Sequence, residues 1–152
     1  MGVMDMLQLI LAFIGSLCAG ILFNVRTEKL FWAGLSGALG WITYSLLHSA
    51  TGATVIPIFL GAIVVGLYSE SAARILKTPV TIFSISGIFP LVPGITAYTA
   101  MQYLVENRLE EAAGKIVETL ASAFAIAFGL MLITVIFRFS SRLREQKTNI
   151  KK

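Results

Sequence analysis

The chain has 152 residues, of which 57% are hydrophobic and 13% charged, with a mean hydropathy of +0.84. Soluble domains carry about a quarter charged residues, so this balance excludes one and points to an all-α integral membrane protein. The net charge of +4 does not indicate a nucleic-acid partner, because the basic residues are split among short loops and a tail beside apolar segments.

Five apolar segments follow in chain order, at about residues 7–23, 30–47, 54–68, 80–104 and 116–137. Each approaches or exceeds the ~17 residues that a helix needs to cross a bilayer, the third being the shortest and extended by residues 69–73. The first is preceded by Asp5 rather than a positive n-region, so it reads as a retained span and not a signal peptide. Cys18, the single cysteine, lies within that span as a small packing residue, and no internal disulfide or metal cluster can be assembled. Residues 1–138 thus form a transmembrane domain and residues 139–152 a basic cytoplasmic tail.

Lysine and arginine set the expected orientation. Arg26 and Lys29 follow the first span, Arg74 and Lys77 the third, and Arg138, Arg142, Arg144, Lys147, Lys151 and Lys152 the fifth. The loop near His48 has no lysine or arginine, and the fourth loop has Arg108 and Lys115 among four glutamates. An external N-terminus places ten of the twelve basic residues in the cytoplasm, as the positive-inside rule requires. Trp32 and Tyr68 then fall near the inner interface and Tyr103 near the outer one, as an aromatic belt would.

Small residues recur four apart at Ser16/Gly20, Ala33/Gly37, Ser36/Gly40 and Ala62/Gly66, a spacing that lets helix backbones approach closely. In the fifth span Glu118, Ser122, Ala125 and Gly129 share one face, which is expected to meet protein. Glu118 is the nearest thing to an intramembrane acid and a candidate for ion coupling. Its place in the first turn of the span also fits a snorkelled interfacial charge.

The fourth span is the most informative. Its segment PLVPGITAYTAM sets Pro90, Pro93 and Gly94 in the middle of an apolar stretch, so the span is predicted to break at residues 90–94. Residues 81–89 as a helix rise about 14 Å, which puts Pro90 near the midplane of a ~30 Å hydrocarbon core. Beyond the break Gly94 can take backbone conformations closed to other residues, and a second half-helix restarts at about residue 95. Two helix ends then face each other, one with partly negative carbonyls and one with partly positive N–H groups. A carboxylate fits the N–H groups and an ammonium the carbonyls, with Ser86, Thr96, Tyr98, Thr99 and Gln102 adding neutral polar contacts. The other reading is a simple kink whose hydroxyls bond back to the helix. No nucleophile–base pair, metal cluster or phosphate loop is recognisable, so neither an enzyme nor a cofactor is expected.

The string KTPVTIFSISGIFPLVPGITAYTAM at residues 77–101, with Phe23-Asn24-Val25 and the opening MGVMDMLQLIL, resembles the threonine/serine exporter family. It is similar to its small YjjB-type subunit, or the C-terminal half of the fused exporters. The resemblance implies a bacterial inner-membrane transporter that works with a larger YjjP-type subunit. It also implies export of threonine and serine, or of a dicarboxylate such as succinate, driven by the proton gradient. A small carboxylate or amino acid, the lipid bilayer and the larger subunit are the expected partners, with a higher oligomer possible. Substrate-binding residues expected from the break are Ser86, Pro90, Pro93, Gly94, Thr96, Tyr98, Thr99 and Gln102. Five spans are few for enclosing a polar path, and none carries a carboxylate near its centre, so a proton carrier is expected from the partner. A non-transporting assembly subunit, with the broken helix as a docking surface, is the alternative.

Overall fold

The computed structural model describes the backbone of residues 3–150 and the side chains of residues 6–140. Within them the regular elements are all helical: α1 Val3–Leu22, α2 Thr27–Thr51, α3 Val55–Leu76, α4 Val80–Ile88, a 3₁₀ turn at Phe89–Leu91, α5 Gly94–Val105 and α6 Leu109–Ile150. Three of them, α2, α3 and α6, are long and apolar enough to span a membrane alone. The pair Val80–Leu91 and Gly94–Val105 makes a fourth span, bent by 49° at the break. In α1 the apolar stretch Met6–Leu22 is shorter and sits at the minimum crossing length of about 17 residues. The basic side chains expected in a tail beyond residue 140 lie outside the described residues, although the α6 backbone runs on to Ile150.

Local chemistry sets the helix ends. Gly52 closes α2 in the left-handed region at φ 65°, its N–H donating to the His48 carbonyl. Lys77 plays the same part after α3 at φ 49°, and Pro79 then prevents the helix from continuing. The break after α4 is taken up by Val92, with ψ 101°, and by Pro93, with φ −39° and ψ 50°. Gly94 therefore needs no special conformation. Gly52 is the one described glycine with a positive φ, which corrects the expectation that Gly94 uses glycine's extra freedom.

Close packing follows the predicted small-residue pairs. Ser16, Ala33, Ser36 and Ala62 are fully buried, and α2 packs against α1, α3 and α4 at once. Three serines lie against three glycines in a cycle. The Ser16 hydroxyl of α1 sits over Gly37 of α2, that of Ser36 on α2 over Gly87 of α4, and that of Ser86 on α4 beside Gly20 of α1. A Cβ at Gly37 would lie 2.7 Å from the Ser16 Cβ, and one at Gly87 would lie 3.0 Å from the Ser36 Cβ. The predicted face of α6 meets α3: a Cβ at Gly129 would lie 3.0 Å from the Ala62 Cβ, and Ser122 is fully buried.

This packing covers the break. Leu91, buried in the 3₁₀ turn, fills the notch left by Gly40 of α2 and Gly61 of α3 and joins Ile58, Ala62, Val65 and Ile126 in the core. An irregular backbone at membrane depth is tolerable because α2 and α3 lie over it instead of lipid.

Candidate functional site

Past the break a cavity of about 150 Å³ opens between the start of α5 and the facing halves of α2 and α3. Its walls are the backbone turn through Pro90, Pro93 and Gly94, the first turn of α5 with Thr96, and Trp41, Tyr44 and Thr54 from α2 and α3. Two helix N-termini thus converge on it. Neither α3 nor α5 has a side-chain cap. The Gly94 N–H turns back to the Val92 carbonyl. A Cβ built on Gly94 meets nothing within 4 Å, so that position borders open space.

A larger cavity, about 390 Å³, lies across the break towards α1 and is lined mostly by apolar groups together with Gln8. Trp41, Pro90 and Ile95 line both spaces and form the partition between them. The Trp41 indole N–H is buried without a hydrogen-bond partner. Its ring packs on Tyr44 at 5.2 Å, and Tyr44 stacks on His48 at 5.4 Å. The His48 Nδ1–H donates to the Ala53 carbonyl at 2.7 Å and so ties the end of α2 to the start of α3.

Glu118 lies on α6, its carboxylate paired at 2.8 Å with Lys115. It lies nine residues into α6 from Leu109, or about 14 Å along the axis from the α5–α6 turn. At that turn Arg108 pairs with Glu106 at 3.0 Å and with Glu111, and lies 4.4 Å over the Tyr103 ring. The Gln102 amide and then Arg108 hold the Glu106 carboxyl below its ordinary range, while Glu111 and Glu106 raise the Arg108 guanidinium. This charged cluster marks one water-facing end of the α5–α6 hairpin.

Of the eight residues expected from the broken span, Pro90, Pro93, Gly94 and Thr96 line the cavity. Ser86 is fully buried but faces α1 beside Gly20. Tyr98 is 71% exposed, and the Thr99 hydroxyl bonds back to the Ile95 carbonyl at 2.9 Å. Gln102 donates to Glu106 at 3.0 Å and belongs to the charged turn. Trp41, Tyr44 and Thr54 escaped the sequence reading because they come from other helices. Glu70 did too: it is 7% exposed, near the other end of α3, with its carboxylate 3.9 Å from the Arg74 guanidinium. Arg74 in turn donates to the Phe137 carbonyl and lies over its ring, joining α3 to α6.

A family model described as Threonine/Serine exporter, ThrE, matches residues 8–136. The chain belongs to the threonine/serine exporter family. The match spans α2 to α5 entirely and most of α1, and it ends near Phe137, where Arg74 docks on α6. It makes the protein a multi-pass membrane protein of transporter type. No solved structure matches the exporter chain.

Proposed function

We propose that this chain is one subunit of a bacterial inner-membrane exporter of a small carboxylate-bearing metabolite, threonine or serine or a dicarboxylate such as succinate. It works with a larger YjjP-type subunit and draws on the proton-motive force. The observation that carries this reading is the cavity at the break, with two uncapped helix N-termini and the Trp41, Tyr44 and Thr54 side chains around it. Helix N-termini at broken spans favour anionic solute groups. Drug-sized ligands need roughly 300 Å³ or more. A space of about 150 Å³ therefore suits a small metabolite. Glu118, paired with Lys115 on α6, is the chain's own candidate for ion coupling.

Flux from proteoliposomes tests the proposal. Serine, threonine or succinate efflux down an imposed proton gradient is expected from the two subunits together and not from this chain alone. Equal flux from the chain alone would refute the need for a partner. A complex that assembles but never moves solute would leave the broken helix as a docking surface in an assembly protein.

The proposed orientation has the N-terminus outside and the C-terminus in the cytoplasm, from the distribution of basic residues. With Cys18 replaced by serine, an impermeant maleimide added to intact cells should label Ala50→Cys but not Glu28→Cys, at opposite ends of α2. The reverse pattern would invert the topology.

A further inference from the structure

Two unlike stripes run along the outer side of α1. Leu7, Ile10, Ile14 and Ile21 form one, all large aliphatic side chains left exposed, a composition that lipid tails suit. The other holds Gln8, Leu11, Gly15, Cys18 and Leu22, at the alternating spacing of three and four that keeps one face of a helix against a neighbouring helix. Gln8, Leu11, Cys18 and Leu22 are exposed, and a Cβ built on Gly15 meets nothing within 4 Å. Ser16 and Gly20, by contrast, are taken up by α2 and α4 inside the chain. The Gln8 amide makes no hydrogen bond among the described residues. An amide and a glycine gain little from lipid, whereas small and hydrogen-bonding residues are what membrane helices place between one another.

This second stripe is one wall of the space of about 390 Å³ beside α1. Gln8, Leu11 and Gly15 bound it on one side, and Phe89, Pro90 and Ile95 of the broken span on the other. Phe89 is 52% exposed and Ile95 86%, so the chain itself covers this side of the break only in part. Irregular backbone at membrane depth is tolerated where protein lies over it. The groove also backs onto the partition of Trp41, Pro90 and Ile95 that closes the smaller cavity.

We infer that the groove between α1 and the broken span is filled by α1 of a second copy of this chain, the two copies being related by a twofold axis that passes near Gly15. An isologous contact must be self-complementary, and here the helix that walls the groove is also the helix that fills it. Across the axis Gln8 meets Gln8 at equal depth, and a primary amide both donates and accepts, so the pair satisfies itself. Gly15 removes bulk where the helices cross, and a single polar residue in such a seam fixes its register. A helix of unrelated sequence would have to supply that amide independently. In the dimer each copy's α1 covers the other's break and backs the partition of its cavity.

Disulfide cross-linking in native membranes tests this. In a Cys18→Ser background, Leu11→Cys and Gly15→Cys should each oxidise to a product of twice the chain's mass. Leu7→Cys and Ile14→Cys should stay uncross-linked, because a disulfide needs Cα atoms within about 7 Å. Gly15→Trp, whose side chain enters open space in its own copy, should leave the chain folded and assembled with the larger subunit, yet halve the copies of this chain per particle counted by stepwise photobleaching. Gln8→Leu should weaken self-association about fivefold. Equal cross-linking on both stripes, a product that contains the larger subunit in place of a second copy, or an unchanged copy number in Gly15→Trp would overturn the assignment. Cross-linking is read without solute, so its failure would leave the cavity beside Gly94 standing as the solute site.

Discussion

Gly37→Ala is expected to destabilise the protein by about 1 to 3 kcal/mol, the usual cost of forcing a carbon into a filled interior. The added Cβ would lie 2.7 Å from the Ser16 Cβ and 3.2 Å from the Pro90 ring. Rotating the serine hydroxyl away relieves only part of that overlap, because its Cβ is fixed to the α1 backbone. The strain therefore passes to the α1–α2 separation and to the break itself, since Pro90 rests on the same glycine. Glycine-mediated approach is also how helices associate where lipid offers no hydrophobic drive. Gly114→Ala is the control. Nothing lies within 4 Å of its Cβ, so the change should be neutral or raise stability by about 0.5 to 1 kcal/mol through helix propensity. Unfolding midpoints in detergent check both, and equal midpoints for the two variants would remove the serine–glycine cycle as a source of stability.

Gly94→Trp is expected to abolish transport while leaving assembly intact. Gly94 has no positive φ, so a larger residue meets no backbone penalty, and its Cβ enters open space at the cavity edge. An indole there competes directly with solute for about 150 Å³. A flux loss of more than tenfold per assembled complex, with normal yield, is the expected outcome. Wild-type flux would show that solute passes elsewhere. Lost yield would mean that Gly94 is packed against something, contrary to its open surroundings.

The helical spans were legible because length and hydropathy leave a membrane chain few choices, and the break was legible because proline removes a donor wherever it falls. Small-residue spacing also announced close-packing faces on α1, α2 and α3, but not that Ser86 and Gly87 of α4 would meet two of them. The cavity was not legible in the same way. Thr54 and Trp41 are far from residue 94 in sequence, and only the packing of α2 and α3 over the 3₁₀ turn brings them to it. Ser86, Tyr98, Thr99 and Gln102 were grouped by nearness in sequence, but a helix sends neighbours to different faces: into α1, to the outside, back to the backbone and to Glu106. Glu70 was overlooked because it falls among the polar residues at the end of α3, where Arg74 one turn on makes its burial tolerable.

The central claim is that solute occupies the space beside Gly94, and cysteine protection at that position tests it most directly. In a Cys18→Ser background, Gly94→Cys should react with a small maleimide in the purified two-subunit complex. Glu110→Cys, in the exposed first turn of α6, serves as the reference. Saturating L-serine is expected to slow labelling at position 94 several-fold and leave position 110 unchanged. Equal rates at position 94 with and without serine, threonine or succinate, in a complex that still transports one of them, would contradict the account.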